Sequence, residues 1–199
     1  MTIRIEFYFD FLSPYSYLAY CVARENFFQS NYNFVFKPVS LPHIINKSGN
    51  SPPASLPARA EYLSKDLSRS AQFYGVNGFK IPKKFPFDTR NRLYELISLI
   101  EADKNLEELD EFIMNSWNKI FHLNDLDFNM SDGALKQKMS LKAKLTKNTE
   151  EALNLGAYGV PFWRIENEHG QVETFFGSDR FHHIAKFLQI DHIPFYSKI

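Results

Sequence analysis

An apolar strand pattern gives way to a helical pattern at Ser13-Pro14-Tyr15-Ser16. Dithiol oxidoreductases carry Cys-x-x-Cys at such a junction, where the positive end of the helix lowers the pKa of a thiol. In this chain serines stand in both cysteine positions. A junction that is suited to a thiolate but has no thiol of its own predicts that a ligand brings the sulfur.

Ser13 has two possible roles. As the residue before a helix, it can cap that helix by accepting a hydrogen bond from a backbone N–H. Alternatively, its hydroxyl donates to a bound sulfur anion, helped by the positive helix end. To lower the pKa of a thiol by ~2 units, the site must stabilise the thiolate over the thiol by only ~2.7 kcal/mol. Covalent serine catalysis is disfavoured, because no Gly-x-Ser-x-Gly elbow surrounds Ser13 and the six histidines show no triad spacing.

Two more motifs are candidates for the same site. Val160-Pro161 can contain a cis peptide bond, which would let Val160 offer its backbone N–H and C=O to an extended peptide. The alternative is an ordinary loop that enters an edge strand. Ser178 and Asp179 stand at the predicted start of the last helix, where N–H groups suit a carboxylate and Asp suits an ammonium group. The alternative there is a simple helix cap.

The three motifs together describe one ligand. They offer a place for a sulfur anion, for an extended peptide backbone and for a zwitterion. Glutathione has a thiol at its centre, a γ-glutamyl zwitterion at one end and a glycine carboxylate at the other. Asn50 and Arg59 are candidates for binding the glycine carboxylate. The sequence therefore predicts a glutathione-binding protein.

Composition excludes several other classes of function. The net charge of this 199-residue chain is zero, so no basic field attracts nucleic acid. Cys21 is the only cysteine, which rules out an internal disulfide, disfavours a metal site and fits a reducing compartment. No run approaches the ~20 apolar residues of a membrane span.

The ends of the chain bear on localisation. Residues 1–4 lead directly into a strand pattern without the apolar region of a signal peptide, so we expect a cytoplasmic protein. The last residues, Ser197-Lys198-Ile199, differ by one residue from the peroxisomal signal Ser-Lys-Leu. A chance match in a short tail is the favoured interpretation.

Hydrophobic periodicity predicts an α/β fold with a helical insertion. The chain opens with a predicted βαβ unit: strand 3–9, helix 14–28, strand 33–39. A loop-like segment, 46–57, leads to helical patterns over 63–74, 93–100, 109–120 and 131–156. Asn105 and Glu108 are candidates to cap the third of these helices. Strands over 160–165 and 172–176 and a last helix ending near Leu188 complete the chain. We expect one split domain, 1–42 with 157–199, around an insertion domain, 43–156.

Four segments carry a resemblance to a known family. Residues 7–19, FYFDFLSPYSYLA, resemble the opening of 2-hydroxychromene-2-carboxylate isomerases. Segments 48–54 (SGNSPPA), 156–161 (GAYGVP) and 176–180 (FGSDR) are similar to kappa-class glutathione transferases. These two groups form one family in the DsbA-like branch of the thioredoxin superfamily. The resemblance implies a thioredoxin-like domain with a large all-α insertion that binds glutathione, usually as a homodimer.

The resemblance also implies roles for residues on the thiol and γ-glutamyl side. Ser13 would be the catalytic residue that stabilises the glutathione thiolate. Val160, before a cis-Pro161, would hold the cysteinyl backbone. Ser178 and Asp179 would bind the γ-glutamyl end.

At the glycine end, the resemblance implies Asn50 and Arg59. The family usually has Lys where this chain has Arg59. Arginine keeps the positive charge but changes the shape and the donor geometry.

Three functions stay open on the sequence. The first is an enzyme in which the glutathione thiolate attacks a small hydrophobic electrophile, aromatic or conjugated, as an isomerase or a transferase. The second, a thiol-disulfide oxidoreductase, is disfavoured because neither motif position has sulfur and Cys21 lies two turns into the helix. The third is a non-catalytic glutathione-binding module. Four phenylalanines are candidates to line the electrophile pocket, namely Phe11, Phe79, Phe85 and Phe87. Packing in the core is the more common role of such residues.

Overall fold

The computed structural model describes residues 2–28 and 32–190. A four-stranded sheet has the order β2-β1-β3-β4. Its strands are β1 (Arg4–Phe9), β2 (Asn33–Pro38), β3 (Phe162–Glu166) and β4 (Val172–Phe176). β1 pairs in parallel with β2, while the β1–β3 and β3–β4 pairs are antiparallel. A βαβ unit extended by a hairpin produces this arrangement, which confirms the predicted α/β fold.

Eight α-helices lie in the described ranges. They are α1 (Pro14–Phe27), α2 (Leu41–Lys47), α3 (Pro57–Phe73), α4 (Arg90–Glu101), α5 (Leu106–Asn118), α6 (Asp132–Lys136), α7 (Lys138–Asn154) and α8 (Phe181–Leu188). A 3₁₀ turn (Pro53–Ser55) precedes α3, and a π-helical turn (Lys119–Leu123) continues α5. Within these ranges, no helix combines the length and the apolar character needed to cross a bilayer.

Local sequence signals account for several helix ends. Ser13 caps α1, because its Oγ accepts from Ser16 N at 3.1 Å, and Pro14 occupies the first helical position. At α5, Asn105 and Glu108 form the predicted capping box, with each side chain bonded to the other's backbone N–H. The start of the last helix was predicted wrongly: α8 begins at Phe181, so Ser178 does not cap it.

Aromatic residues build one continuous core on the first face of the sheet. Trp163 of β3 stacks on Phe7 with ring centroids 4.3 Å apart, and Phe181 of α8 packs against the same indole. Trp117 of α5 extends this core into the middle of the chain. The predicted insertion therefore shares the core of the sheet, and its boundaries at 43 and 156 stay a prediction.

A smaller cluster covers the second face. Tyr8 and Phe162 of the sheet pack there with Ile44 of α2 and Ala152 of α7. Helix α2 was not predicted, because only one of its seven residues is buried and its periodic signal is weak. The Ser197-Lys198-Ile199 tail, which resembles a peroxisomal signal, lies outside the described residues.

Trp117 of α5 packs against β1 and α1. Its fully buried ring lies 5.0–5.5 Å, centroid to centroid, from four aromatic neighbours: Phe9, Phe11, Tyr17 and Tyr20. Its indole N–H finds no hydrogen-bond partner within the described part of the chain. The contact thus depends on ring packing and includes an unsatisfied donor.

We expect Trp117→Ala to lower the free energy of unfolding by about 3–5 kcal/mol, because a large cavity opens in the core. Trp117→Phe should cost roughly half of that or less, since a ring remains and the unpartnered N–H is removed. Urea denaturation of both variants measures the difference. Equal losses for the two variants would contradict this account of the core.

Candidate functional site

A tight turn places Ser13 at the N-cap position of α1. Ser13 N donates to Asp10 O at 3.0 Å, and Leu12 N donates to the Asp10 side chain at 3.0 Å. Ser13 is left 3% exposed, at the positive end of a 14-residue helix. The backbone therefore holds its hydroxyl where helix N–H groups converge.

The Ser13 hydroxyl also reaches the predicted cis-proline loop. The Val160-Pro161 peptide is cis, as predicted. Ser13 Oγ donates to Val160 O at 3.1 Å while it accepts from Ser16 N. Ser13 therefore caps α1, and its hydroxyl also donates to a carbonyl on the opposite side of the site.

The segment before α8 is fastened to the same loop. Gly177 N donates to Pro161 O at 3.0 Å, and Trp163 Nε1 donates to Gly177 O at 3.2 Å. Glycine is favoured here, because its φ is 104°, a backbone conformation that other residues rarely adopt. The buried Ser178 accepts from Tyr74 OH through its carbonyl at 2.7 Å. These contacts hold Ser178 and Asp179, the residues predicted to bind the γ-glutamyl end, in the segment next to the cis-proline.

Tyr15 and Asp66 join the site, although sequence reasoning gave neither a role. Tyr15 OH donates to Asp66 Oδ2 at 2.5 Å, which links α1 to α3. Burial raises the pKa of Tyr15, and the negative charges of Asp66 and Asp179 add to the rise. Asp179 is itself ion-paired with Arg180. No local sequence pattern links Asp66 to Tyr15, which lies 51 positions earlier in the chain.

The two residues predicted for the glycine end lie in different surroundings. Asn50 Nδ2 donates to Tyr158 O at 2.7 Å, and its Oδ1 accepts from Ser51 N at 2.8 Å. Asn50 is thus attached to the loop that leads to the cis-proline, and one of its amide hydrogens has no partner among the described residues. Arg59 is exposed in the first turn of α3 and forms no ion pair within the described ranges.

The four phenylalanines suggested for an electrophile pocket separate into core and surface residues. Phe11 is fully buried and packs edge-on against Trp117, so it belongs to the core. Phe79 and Phe87 are partly buried, and Phe79 packs against Tyr17. Phe85 is 38% exposed. Only the last three can contribute to an accessible surface.

Cys21 does not supply a reactive thiol to this site. It lies two turns into α1, and burial raises the pKa of its thiol to about 12, against smaller lowering effects of Tyr17 and Arg24. At neutral pH it is therefore protonated and a weak nucleophile. The described residues also contain no group of three or more His, Cys, Asp or Glu side chains arranged to hold a metal ion.

Comparison with known proteins agrees with the fold described above. Residues 4–189 match the DSBA-like thioredoxin domain. The chain is 34% identical over 207 residues to glutathione S-transferase kappa 1 of Caenorhabditis elegans, covering 94% of this chain and 91% of the relative. It is 22% identical over 205 residues to 2-hydroxychromene-2-carboxylate isomerase of Sphingobium xenophagum, covering 94% and 99%. A solved structure of a 2-hydroxychromene-2-carboxylate isomerase shares the fold with a TM-score of 0.71 at 20% identity, over 94% of both chains. The predicted thioredoxin-like fold with its helical insertion is confirmed.

The pKa of Cys21 gives a direct prediction. At neutral pH, iodoacetamide should label Cys21 in the native protein at least about ten-fold more slowly than in the urea-unfolded chain, because only the thiolate reacts. Mass spectrometry of the labelled protein over time measures both rates. Equal rates in the two states would show that this thiol is reactive, and would reopen a redox role for the protein.

Proposed function

We infer that this protein is a glutathione-dependent enzyme. The premise is that the chain belongs to the DSBA-like thioredoxin family, in the branch of kappa-class glutathione transferases and 2-hydroxychromene-2-carboxylate isomerases. The resemblance to this family that the sequence motifs carry is thereby confirmed. One observation carries the proposal: Ser13 Oγ lies 3.1 Å from Val160 O, at the start of α1. This contact combines a hydroxyl donor, a helix N-terminus and a backbone carbonyl at a point where the chain has no thiol.

In the proposed reaction, Ser13 stabilises the glutathione thiolate. Its hydroxyl turns from Val160 O to the sulfur, while Ser16 N continues to donate to Ser13 Oγ and so makes the hydroxyl a better donor. The positive end of α1 also favours the anion. Both effects lower the pKa of the thiol, whose proton passes to solvent before the sulfur attacks an electrophilic carbon.

The other proposed contacts hold the two ends of glutathione. The backbone of Val160 takes the cysteinyl part as an added strand, and Ser178 with Asp179 takes the γ-glutamyl zwitterion. Asn50 and Arg59 take the glycine carboxylate. The bonds between Gly177 and Pro161 and between Asn50 and Tyr158 support this assignment, because they join both flanking segments to the loop next to Ser13.

Isomerase and transferase use the same activated sulfur. In an isomerase, a carbon–carbon bond rotates in the adduct, and elimination then expels glutathione unchanged. In a transferase, the adduct takes up a proton and leaves as the conjugate. We propose a small hydrophobic, aromatic or conjugated electrophile for either reaction, and a homodimer as the active form. Thiol-disulfide exchange by the chain itself is disfavoured, because its one cysteine is partly buried and protonated.

The role of Ser13 predicts a shift in titration. Ser13→Ala should raise the pKa of the bound glutathione thiol by about 1–2 units, because a hydrogen bond to a charged group is worth about 1.5–3 kcal/mol, and turnover should slow accordingly. Thiolate absorbance of the complex, followed against pH, measures the pKa.

Ser16→Ala is the matched control. The Ser16 hydroxyl is fully buried and has no partner among the described residues, so its loss should leave the thiol pKa unchanged. A shift with Ser16→Ala and none with Ser13→Ala would overturn the assignment of the catalytic serine.

Product analysis separates the two reactions. With 2-hydroxychromene-2-carboxylate as substrate, an isomerase leaves the total glutathione concentration constant while the substrate changes geometry. With a panel of aromatic electrophiles, a transferase consumes glutathione in proportion to conjugate formed. Glutathione binding in a calorimeter without either reaction would favour the non-catalytic module.

A further inference from the structure

Asp10 is a buried carboxylate that the proposed reaction has not used. It is 1% exposed, and three groups from separate parts of the fold donate to it. Leu12 N donates to Oδ1 at 3.0 Å, Leu41 N donates to Oδ2 at 2.9 Å, and Thr89 Oγ1 donates to Oδ1 at 2.7 Å. Its neighbours are therefore the turn before Ser13, the first residue of α2 and the residue before α4.

Asp10 supplies the cap that α2 lacks. Ser40 stands before α2 and makes no side-chain capping bond, so the Asp10 carboxylate receives the first N–H of that helix instead. Thr89 stands before α4, but it directs its hydroxyl to Asp10 and does not cap its own helix. Two helices are thus fastened to the strand end that carries the catalytic serine.

Burial disfavours the ionised form of this carboxylate. Burial raises the pKa of Asp10, and the bonds from Leu12, Thr89 and Leu41 only partly offset the rise. A carboxyl group with a raised folded-state pKa contributes stability below its unfolded-state pKa and loses it as the pH rises through the folded-state value. The contribution of Asp10 to stability therefore falls as the pH rises. Buried carboxylates whose pKa is perturbed in this way are concentrated at functional sites.

We propose that Asp10 is a positioning residue of the glutathione site, which holds the turn that carries Ser13 against the starts of α2 and α4. The backbone completes the connection, because Ser13 N donates to Asp10 O at 3.0 Å, so a shift of the turn moves the Ser13 hydroxyl. This role rests on the proposed function, since it concerns the hydroxyl that meets the sulfur.

Two substitutions test the positioning role of Asp10 in the complex with glutathione. Asp10→Asn turns one acceptor into a donor that faces an N–H or O–H group, and Thr89→Val removes one of the three donors while the charge stays. Loss of a nearby negative charge by itself would lower the pKa of the bound thiol. Positioning predicts the opposite: a higher thiol pKa in Asp10→Asn, and a smaller rise in Thr89→Val.

Kinetics and binding give a second readout. We expect kcat to fall about ten-fold in Asp10→Asn, because small displacements of reacting groups are costly. The dissociation constant of S-methylglutathione, which has no thiol to ionise, should change by less than about two-fold, since other residues hold its ends. Glu6→Gln is the matched control: Glu6 is a second buried carboxylate on β1, bonded to Arg4 and Tyr8 instead of the site. It should leave kcat and the thiol pKa unchanged.

Amide hydrogen exchange tests the role without glutathione. In the unliganded protein, Asp10→Asn should speed exchange of the Leu12 and Ser13 amides, whereas Glu6→Gln should not. If the parent protein fails to bind glutathione, the proposed function fails, and exchange still decides whether Asp10 holds the turn. If Asp10→Asn does not fold, Thr89→Val undergoes the same measurements. Unchanged exchange at both amides, or a bound-thiol pKa that is equal or lower, overturns the proposal.

Discussion

The hydroxyl of Ser13 is the point at which the separate parts of this site meet. It accepts from the first turn of α1 and donates to the carbonyl of Val160, 147 positions later in the chain. A serine that only capped α1 would not need that second contact. Because the helix end, the hydroxyl and the carbonyl converge, an anion that binds here gains a donor and a positive dipole without rearrangement of the backbone.

The rest of the fold keeps this contact in place. Trp163 fixes β3 to β1 on one side and donates to Gly177 on the other, so that the segment with Ser178 and Asp179 follows the cis-proline loop. Trp117 joins α5 to β1 and α1, which sets the helical insertion against the site. Close packing of large rings allows little freedom in these distances. The site therefore depends on an aromatic core built from both ends and the middle of the chain.

Sequence reasoning succeeded where the signal was local. The cap of α1, the capping box of α5 and the strands each follow from residues within a few positions of one another. The cis peptide before Pro161 was expected from the motif and its resemblance. Contacts between distant segments gave no such signal. Asp66 reaches Tyr15 across 51 positions and Thr89 reaches Asp10 across 79, and no periodicity encodes either pair. The start of α8 was misplaced because Ser178 looks like a cap, whereas tertiary bonds at Gly177 hold that segment outside the helix.

A crystal structure of the protein with glutathione is the most direct measurement of the central claim. The account predicts the cysteinyl sulfur within hydrogen-bonding distance of Ser13 Oγ, with the Ser13 hydroxyl turned away from Val160 O. A complex in which the sulfur points away from Ser13, or a calorimetric titration that finds no binding of glutathione, would contradict it.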